Sequence, residues 1–304
     1  MTVTESGASA KAILYAFLAN LGIALSKTWA ALHTGSGSLL AEAIHSYADS
    51  GNQVLLFIGL KRSQRPADIE HPLGYGKATY FWSFIVAMLL FSVGGLFSIY
   101  EGAHKWLHPE PLSQPWVGLV VLALAIVLEA LSLAGCLREI GRLRGETPFR
   151  DWLRHTRNAE LVVVFGEDIA ALVGLVIALT FLGLATVTGD TAFDAVGSIV
   201  IGVVLVIVSG FISVRMRSLI VGRSAEPELR HLIDRLIDED EAIDELLNSI
   251  TMQFGPDVML AAKIRLRPTL SINEAIEHIN ALEQRIKHRA PQIKWCFIEP
   301  DVED

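Results

Sequence analysis

Apolar residues in this chain gather into long blocks separated by short polar segments, and each block is close to the ~20 residues needed to cross a hydrocarbon core. Six such spans are predicted, at about 11–32, 38–60, 78–102, 114–136, 159–183 and 192–214. From about residue 222 the pattern changes. Leu229, Leu232, Ile233, Leu236 and Ile237 recur at helical spacing, and strand-like stretches follow at 246–254 and at Val258–Leu266, the second with visible alternation. Ser271 is placed to cap a further helix, with Glu274 three residues on completing a capping box. That helix carries Ile272, Ile276, Ile279, Leu282 and Ile286 on one stripe, and 295–298 reads as a last strand. The predicted fold is an α-helical membrane protein: six transmembrane helices followed by a small α+β domain of αββαβ, ferredoxin-like order. The corresponding division is a tail at 1–10, a membrane domain at 11–221 and a C-terminal domain at 222–304.

Composition agrees with the pattern. Of 304 residues, 52% are hydrophobic, more than a soluble domain carries in such unbroken runs. Cys136 and Cys296 are the only cysteines, too few for a disulfide framework or a thiolate metal site. Positive charge alternates between loops. Lys61, Arg62, Arg65 and Lys77 follow span two; Arg138, Arg142, Arg144, Arg150, Arg154 and Arg157 follow span four; and Arg215, Arg217 and Arg223 follow span six. The positive-inside rule then puts both termini, and the C-terminal domain, in the cytoplasm. The net charge of −8 and an acidic tail argue against a nucleic-acid partner. Residues 1–10 are polar and hold no Lys or Arg, unlike a signal peptide, and no organellar targeting segment is evident, so a bacterial inner membrane is the expected location.

Ionisable groups inside spans are costly and usually functional. In span two, His45 and Asp49 are four residues apart and share one helix face. Nitrogen and oxygen donors on adjacent turns suit a zinc ion in a tetrahedral site, although a hydrogen bond that only ties the bundle together would use the same spacing. In span five, Glu167 and Asp168 interrupt an apolar run. Carboxylates facing carboxylates repel unless a proton or cation intervenes. Glu42 lies on nearly the same face as Asp49 and is a candidate proton relay or entry ligand. Glu101 and Asp194 sit near span ends and read as solvated or capping groups, while Glu129 lies deeper and should pair with another helix.

The stretch Gly37-Ser-Leu-Leu-Ala-Glu-Ala-Ile-His45-Ser-Tyr-Ala-Asp49-Ser-Gly-Asn52-Gln53, followed by His71-Pro-Leu-Gly74-Tyr-Gly76-Lys77, resembles the cation diffusion facilitator family. The Glu-Asp pair of span five is similar to the subgroup related to zinc transporter nine. The resemblance implies zinc efflux from the cytoplasm by proton antiport, with Zn2+ as substrate and Co2+, Fe2+, Cd2+ and Mn2+ as open alternatives. It further implies a homodimer in the lipid bilayer, joined through the C-terminal domain, and a secondary transporter rather than an enzyme, without organic cofactor. Its transport site is a tetrahedron from two His/Asp-x-x-x-Asp motifs. Carried over, these give His45, Asp49 and Asp168, but the fourth position is Val164. Glu167 points about 60° from Val164 around the helix and is the candidate fourth ligand, with a bound water as the other option. Asp68 and His71, beside Glu70, are a possible cytoplasmic loop site; Ile276 and Ile298-Glu-Pro-Asp301 stand where relatives carry C-terminal metal ligands. The missing ligand also admits a sensor or a heterodimer partner subunit that does not transport. A metalloenzyme is disfavoured, since no His-Glu-x-x-His is present.

Overall fold

The structure, a computed structural model, describes residues 21–303. The first helix, α1, occupies 21–34 of the described chain. It is followed by α2 (Gly37–Ser63), α3 (Ala78–Leu107), α4 (Pro115–Arg144), α5 (Ala159–Thr188) and α6 (Ala192–Val221), with a short helix at Phe149–His155 before α5. The 1–10 tail and the start of span one lie outside the described residues. Among those described, α3 to α6 are each long and apolar enough to cross a membrane. Helix α2 carries polar side chains along its middle instead. The helices run past the apolar blocks by up to two turns, because their ends are polar rather than helix-breaking. The last turns of α2 and α4 hold Lys61, Arg62, Arg142 and Arg144, cations that suit the negative end of a helix dipole.

The chain divides into two compact units. One holds residues up to Ile58, Trp82–Gly145 and Glu160–Arg215; the other holds Gly59–Phe81, Glu146–Ala159 and the chain from Met216 on. In the first, α3 and α6 approach through small residues. A Cβ on Gly202 would come 2.6 Å from Gly95 O, and one on Gly102 would come 2.6 Å from Ala195 O. Glycine permits such backbone contact, which gives membrane helices packing energy where no hydrophobic effect operates between them. Within α3, Leu90–Leu96 forms a π turn, closed by the Phe97 N–H bonding to Ser92 O. The N-terminus of α2 is held by Asp194 of α6. Its Oδ2 accepts from the Gly37 N–H at 2.6 Å and its Oδ1 from Ser36 Oγ at 2.6 Å, with Ser38 Oγ on the same atom. Asp194 thus plays the capping role expected of it, satisfying donors that the start of α2 leaves unpaired.

The second unit contains the predicted αββαβ sequence: α7 (Pro227–Asp238), β1 (Ile243–Phe254), β2 (Asp257–Leu266), α8 (Ile272–Arg289) and β3 (Ile293–Pro300). Strand order is β1-β2-β3, with β1 antiparallel and β3 parallel to β2. Along β2, Val258, Leu260, Ala262 and Ile264 alternate inward onto a core shared with Leu229, Ile233 and Ile237 of α7 and Leu282 and Ile286 of α8. Ser271 caps α8 and Glu274 completes the box, as the sequence predicts; Ser271 also holds the Glu274 carboxyl below its usual range through backbone and side-chain hydrogen bonds. The predicted stripe of α8 is only half realised. Ile279, Leu282 and Ile286 pack inward, but Ile272 is 80% exposed and Ile276 52%, because the sheet does not extend under the first turns of the helix.

Candidate functional site

Helix α2 brings its polar residues onto one side by helical spacing. His45 is 1% exposed, and its Nε2 lies 3.5 Å from Asp49 Oδ2, too long for a well-made hydrogen bond. Neither ring nitrogen has a hydrogen-bond partner, and Asp49 Oδ1 has none either. A single turn of α2 therefore presents a buried imidazole and a buried carboxylate oxygen without protein partners, one lone-pair nitrogen and one oxygen being available as ligand atoms. Such atoms cost roughly 1–3 kcal/mol each when left unpaired, so a fold retains them where something else uses them. Gly94, inside the π turn of α3, faces this histidine: a Cβ there would lie 4.0 Å from Nδ1.

Helix α5 supplies Glu167 and Asp168, both buried. Being adjacent, they point about 100° apart, and each meets a different neighbour. Glu167 Oε1 accepts from Asn52 Nδ2 of α2 at 2.7 Å. Asp168 accepts from Ser132 of α4 and keeps its Oδ2 without a partner. Asp49, Glu167 and Asp168 line one cleft of about 60 Å³, with Glu129 and Ser132 of α4 and Ser46 of α2. The cleft has room for water beside an ion, since one water needs only about 10–15 Å³ of such space. Val164 forms an apolar part of the wall.

The residues predicted from the sequence thus fall into two groups. His45 and Asp49 pair on α2, and Asp49, Glu167 and Asp168 share the cleft. Among the described residues no three His, Cys, Asp or Glu side chains draw together closely enough to cage an ion, so the acids line a cleft rather than close a tetrahedron. Glu42 is fully buried and ion-paired with Lys27 of α1, whose Nζ donates to Glu42 Oε2 at 3.2 Å and to Ser46 Oγ at 2.8 Å. Lys27 carries no motif of its own, although a cation well inside span one is a signal of the same kind as the acids. Nor does the sequence assign a role to Asn52 or Ser132, or a partner to Glu129, which sits on the cleft beside the acids of α5.

The loop after α2 is built around Asp68. Its Oδ1 accepts the His71 N–H at 2.7 Å and its Oδ2 the Tyr75 hydroxyl at 2.7 Å. These bonds, Tyr75 first, hold the carboxyl below its usual range. The His71 ring lies 4.2 Å from that of Tyr75, and its Nδ1 is 3.5 Å from Asp68. Both oxygens of Asp68 are thus engaged in shaping the loop.

Comparison with known proteins places these features in context. A family model described as the cation efflux transmembrane domain matches residues 13–221. The chain is 33% identical over 215 residues to "Proton-coupled zinc antiporter SLC30A9, mitochondrial" of Mus musculus, covering 70% of this chain and 38% of that protein. It is 31% identical over 225 residues to "Metal tolerance protein C4" of Arabidopsis thaliana, covering 73% of this chain and 49% of that one. With "Cation-efflux pump FieF" of Shewanella oneidensis it shares 26% over 271 residues, 86% of this chain and 83% of the relative. The chain thus spans less than half the length of the first two relatives.

Proposed function

This chain belongs to the cation diffusion facilitator family, in the subgroup similar to the zinc antiporter named above, and from that premise we propose that it carries a divalent metal ion, zinc first, out of the cytoplasm in exchange for protons. One observation carries the reading: the His45 imidazole and Asp49 Oδ1 lie unpartnered on one turn of a buried helix, and Asp49 shares a cleft with Glu167 and Asp168 of α5. In this reading His45, Asp49 and Asp168 bind the ion, and Glu167 or a water completes its shell. Imidazole and carboxylates hold a metal only when deprotonated, so metal and protons compete for the same atoms. That competition supplies the exchange without nucleotide hydrolysis. Relatives named as a zinc antiporter and as a cation-efflux pump support the class of cargo. Both termini face the cytoplasm in this reading, on the loop charges, and residues 222–304 join two copies of the chain. The Asp68–His71 loop serves chiefly as a turn.

A second reading is a subunit of the same fold that does not transport. It is favoured by the apolar wall at Val164 and by the open arrangement of the acids. Zinc uptake into proteoliposomes with an imposed pH gradient and an internal zinc reporter separates the two. Uptake by the purified protein that collapses the pH gradient supports antiport. Folded protein that takes up neither zinc nor another divalent ion supports the subunit.

A further inference from the structure

Lys27 is a cation enclosed in the membrane-spanning unit, with its side chain only 3% exposed. A buried ammonium is costly unless it is paired, and replacing a buried ion pair by apolar groups is often neutral or stabilising. Stability therefore gives little reason for this pair. Its position gives a better one. The Nζ donates to Ser46 Oγ at 2.8 Å, and Ser46 lines the same cleft as Asp49, Glu167 and Asp168. The ammonium is one hydrogen bond from the cleft wall. Its partner Glu42 keeps the other oxygen, Oε1, unbonded and buried against Gly174 of α5. The pair thus spans from α1 through α2 to α5, one turn from His45.

We propose that the Lys27–Glu42 pair sets the charge of the transport cleft, with Lys27 lowering its affinity for a divalent cation and Glu42 offsetting Lys27. The proposal rests on the transport reading given above. Four carboxylates, Asp49, Glu129, Glu167 and Asp168, line the cleft, and a site with that much negative charge would hold a divalent ion too firmly to release it readily. A fixed positive charge beside Ser46 repels the ion by Coulomb's law in a low-dielectric setting, where such repulsion is strong. A carrier needs binding that is firm enough to load and weak enough to unload. Lys27 acts here as a positioning and charge-setting residue that never touches the ion.

The test is zinc binding to the full-length protein in detergent by equilibrium dialysis, beside zinc uptake in proteoliposomes, for the wild type, Lys27→Met, Glu42→Gln, the double variant and Lys27→Arg. Lys27→Met should tighten Kd by about tenfold and slow turnover, Glu42→Gln should weaken Kd by about tenfold, and the double variant should return to within about threefold of wild type. Lys27→Arg, which keeps the charge, should bind like wild type. A structural role alone would lower folded yield in both single variants and leave Kd of the folded fraction unmoved. That result, or single variants that shift Kd in the same direction, overturns the proposal. Should Lys27→Met fail to fold, Glu42→Gln and Lys27→Arg decide it by the same criteria. If the wild type itself neither binds nor carries zinc or another divalent ion, the transport reading falls and the proposal falls with it. If the wild type transports and the variants do not separate, only the proposal falls.

Discussion

Asn52 of α2 reaches across to Glu167 of α5 and donates to its Oε1 at 2.7 Å, a direct side-chain bond between the two helices that carry the candidate ligands. The bond fixes one oxygen of Glu167, a residue that lines the cleft. Asn52→Ala should lower zinc uptake by about tenfold through loss of that orientation, and should cost roughly 1–3 kcal/mol of stability through an unsatisfied buried acceptor. Asn52→Asp should be the more damaging change, since it sets a carboxylate against a carboxylate. Initial uptake rates in proteoliposomes, with thermal unfolding in detergent, check both the size and the order. A harmless Asn52→Asp would show that Glu167 is not oriented this way during transport.

Val164 offers a gain-of-ligand experiment. It lies on the cleft wall at the position from which relatives are expected to supply a fourth donor. Val164→His should tighten zinc binding by about tenfold and slow release, because a nitrogen donor replaces water or a carboxylate. Asp49→Ala should abolish uptake in either background. Affinity by equilibrium dialysis and turnover by vesicle uptake should move in opposite directions for Val164→His; movement together would place the site elsewhere.

Gly174 is the point at which α5 gives way to Glu42. An added Cβ would overlap Glu42 Oε1. Gly174→Ala should therefore push Glu42 off Lys27 and cost about 1–3 kcal/mol, the usual penalty for overpacking a filled interior. Combining it with Glu42→Ala, which removes the obstructing carboxylate, should recover much of that loss. Thermal unfolding of the single and double variants in detergent reads the recovery, and additive losses would show that the two positions do not meet.

Cys296, in β3, is a buried thiol outside the membrane-spanning segments. Burial first, and then the negative charge of Glu283, push it up to about 11. At neutral pH it stays protonated, so a maleimide should label it slowly in the folded protein and readily after unfolding. The folded value lies above the free value of 9.0, so ionisation favours the unfolded chain: the stabilising contribution is intact below pH 9 and is lost as the pH climbs toward 11. Labelling rates across pH 7 to 10, with Cys136 replaced by Ser, test this. Fast labelling at pH 7 would contradict it.

The C-terminal elements were legible in the sequence because each carries a local signal. Alternation along β2 and the Ser271–Glu274 box need no knowledge of distant residues, and both are realised in the structure. The apolar blocks of α3 to α6 were equally plain. What escaped the sequence depends on partners far along the chain. The exposure of Ile272 and Ile276 follows from where the sheet stops, which helical spacing cannot report. The assignment of Asn52 to Glu167 and of Lys27 to Glu42 follows from which faces of three helices meet. Glu42 and Glu129 stand out as acids inside spans, but their polar surroundings do not, since Lys27 in an apolar block barely alters its hydropathy.

The π turn in α3 has a geometric result of its own. A π turn holds about one residue more than an α turn, and each residue advances a helix by about 100°. The segments Ala78–Leu89 and Phe97–Leu107 are therefore out of helical phase with each other by that angle. Within the turn Gly94 looks toward His45, while Gly102, beyond it, looks toward Ala195 and Ile199. Deleting one residue between Leu90 and Leu96 would leave the span as apolar as before. It would nonetheless swing Gly102 about 100° off α6 and set a side chain where backbone now meets backbone.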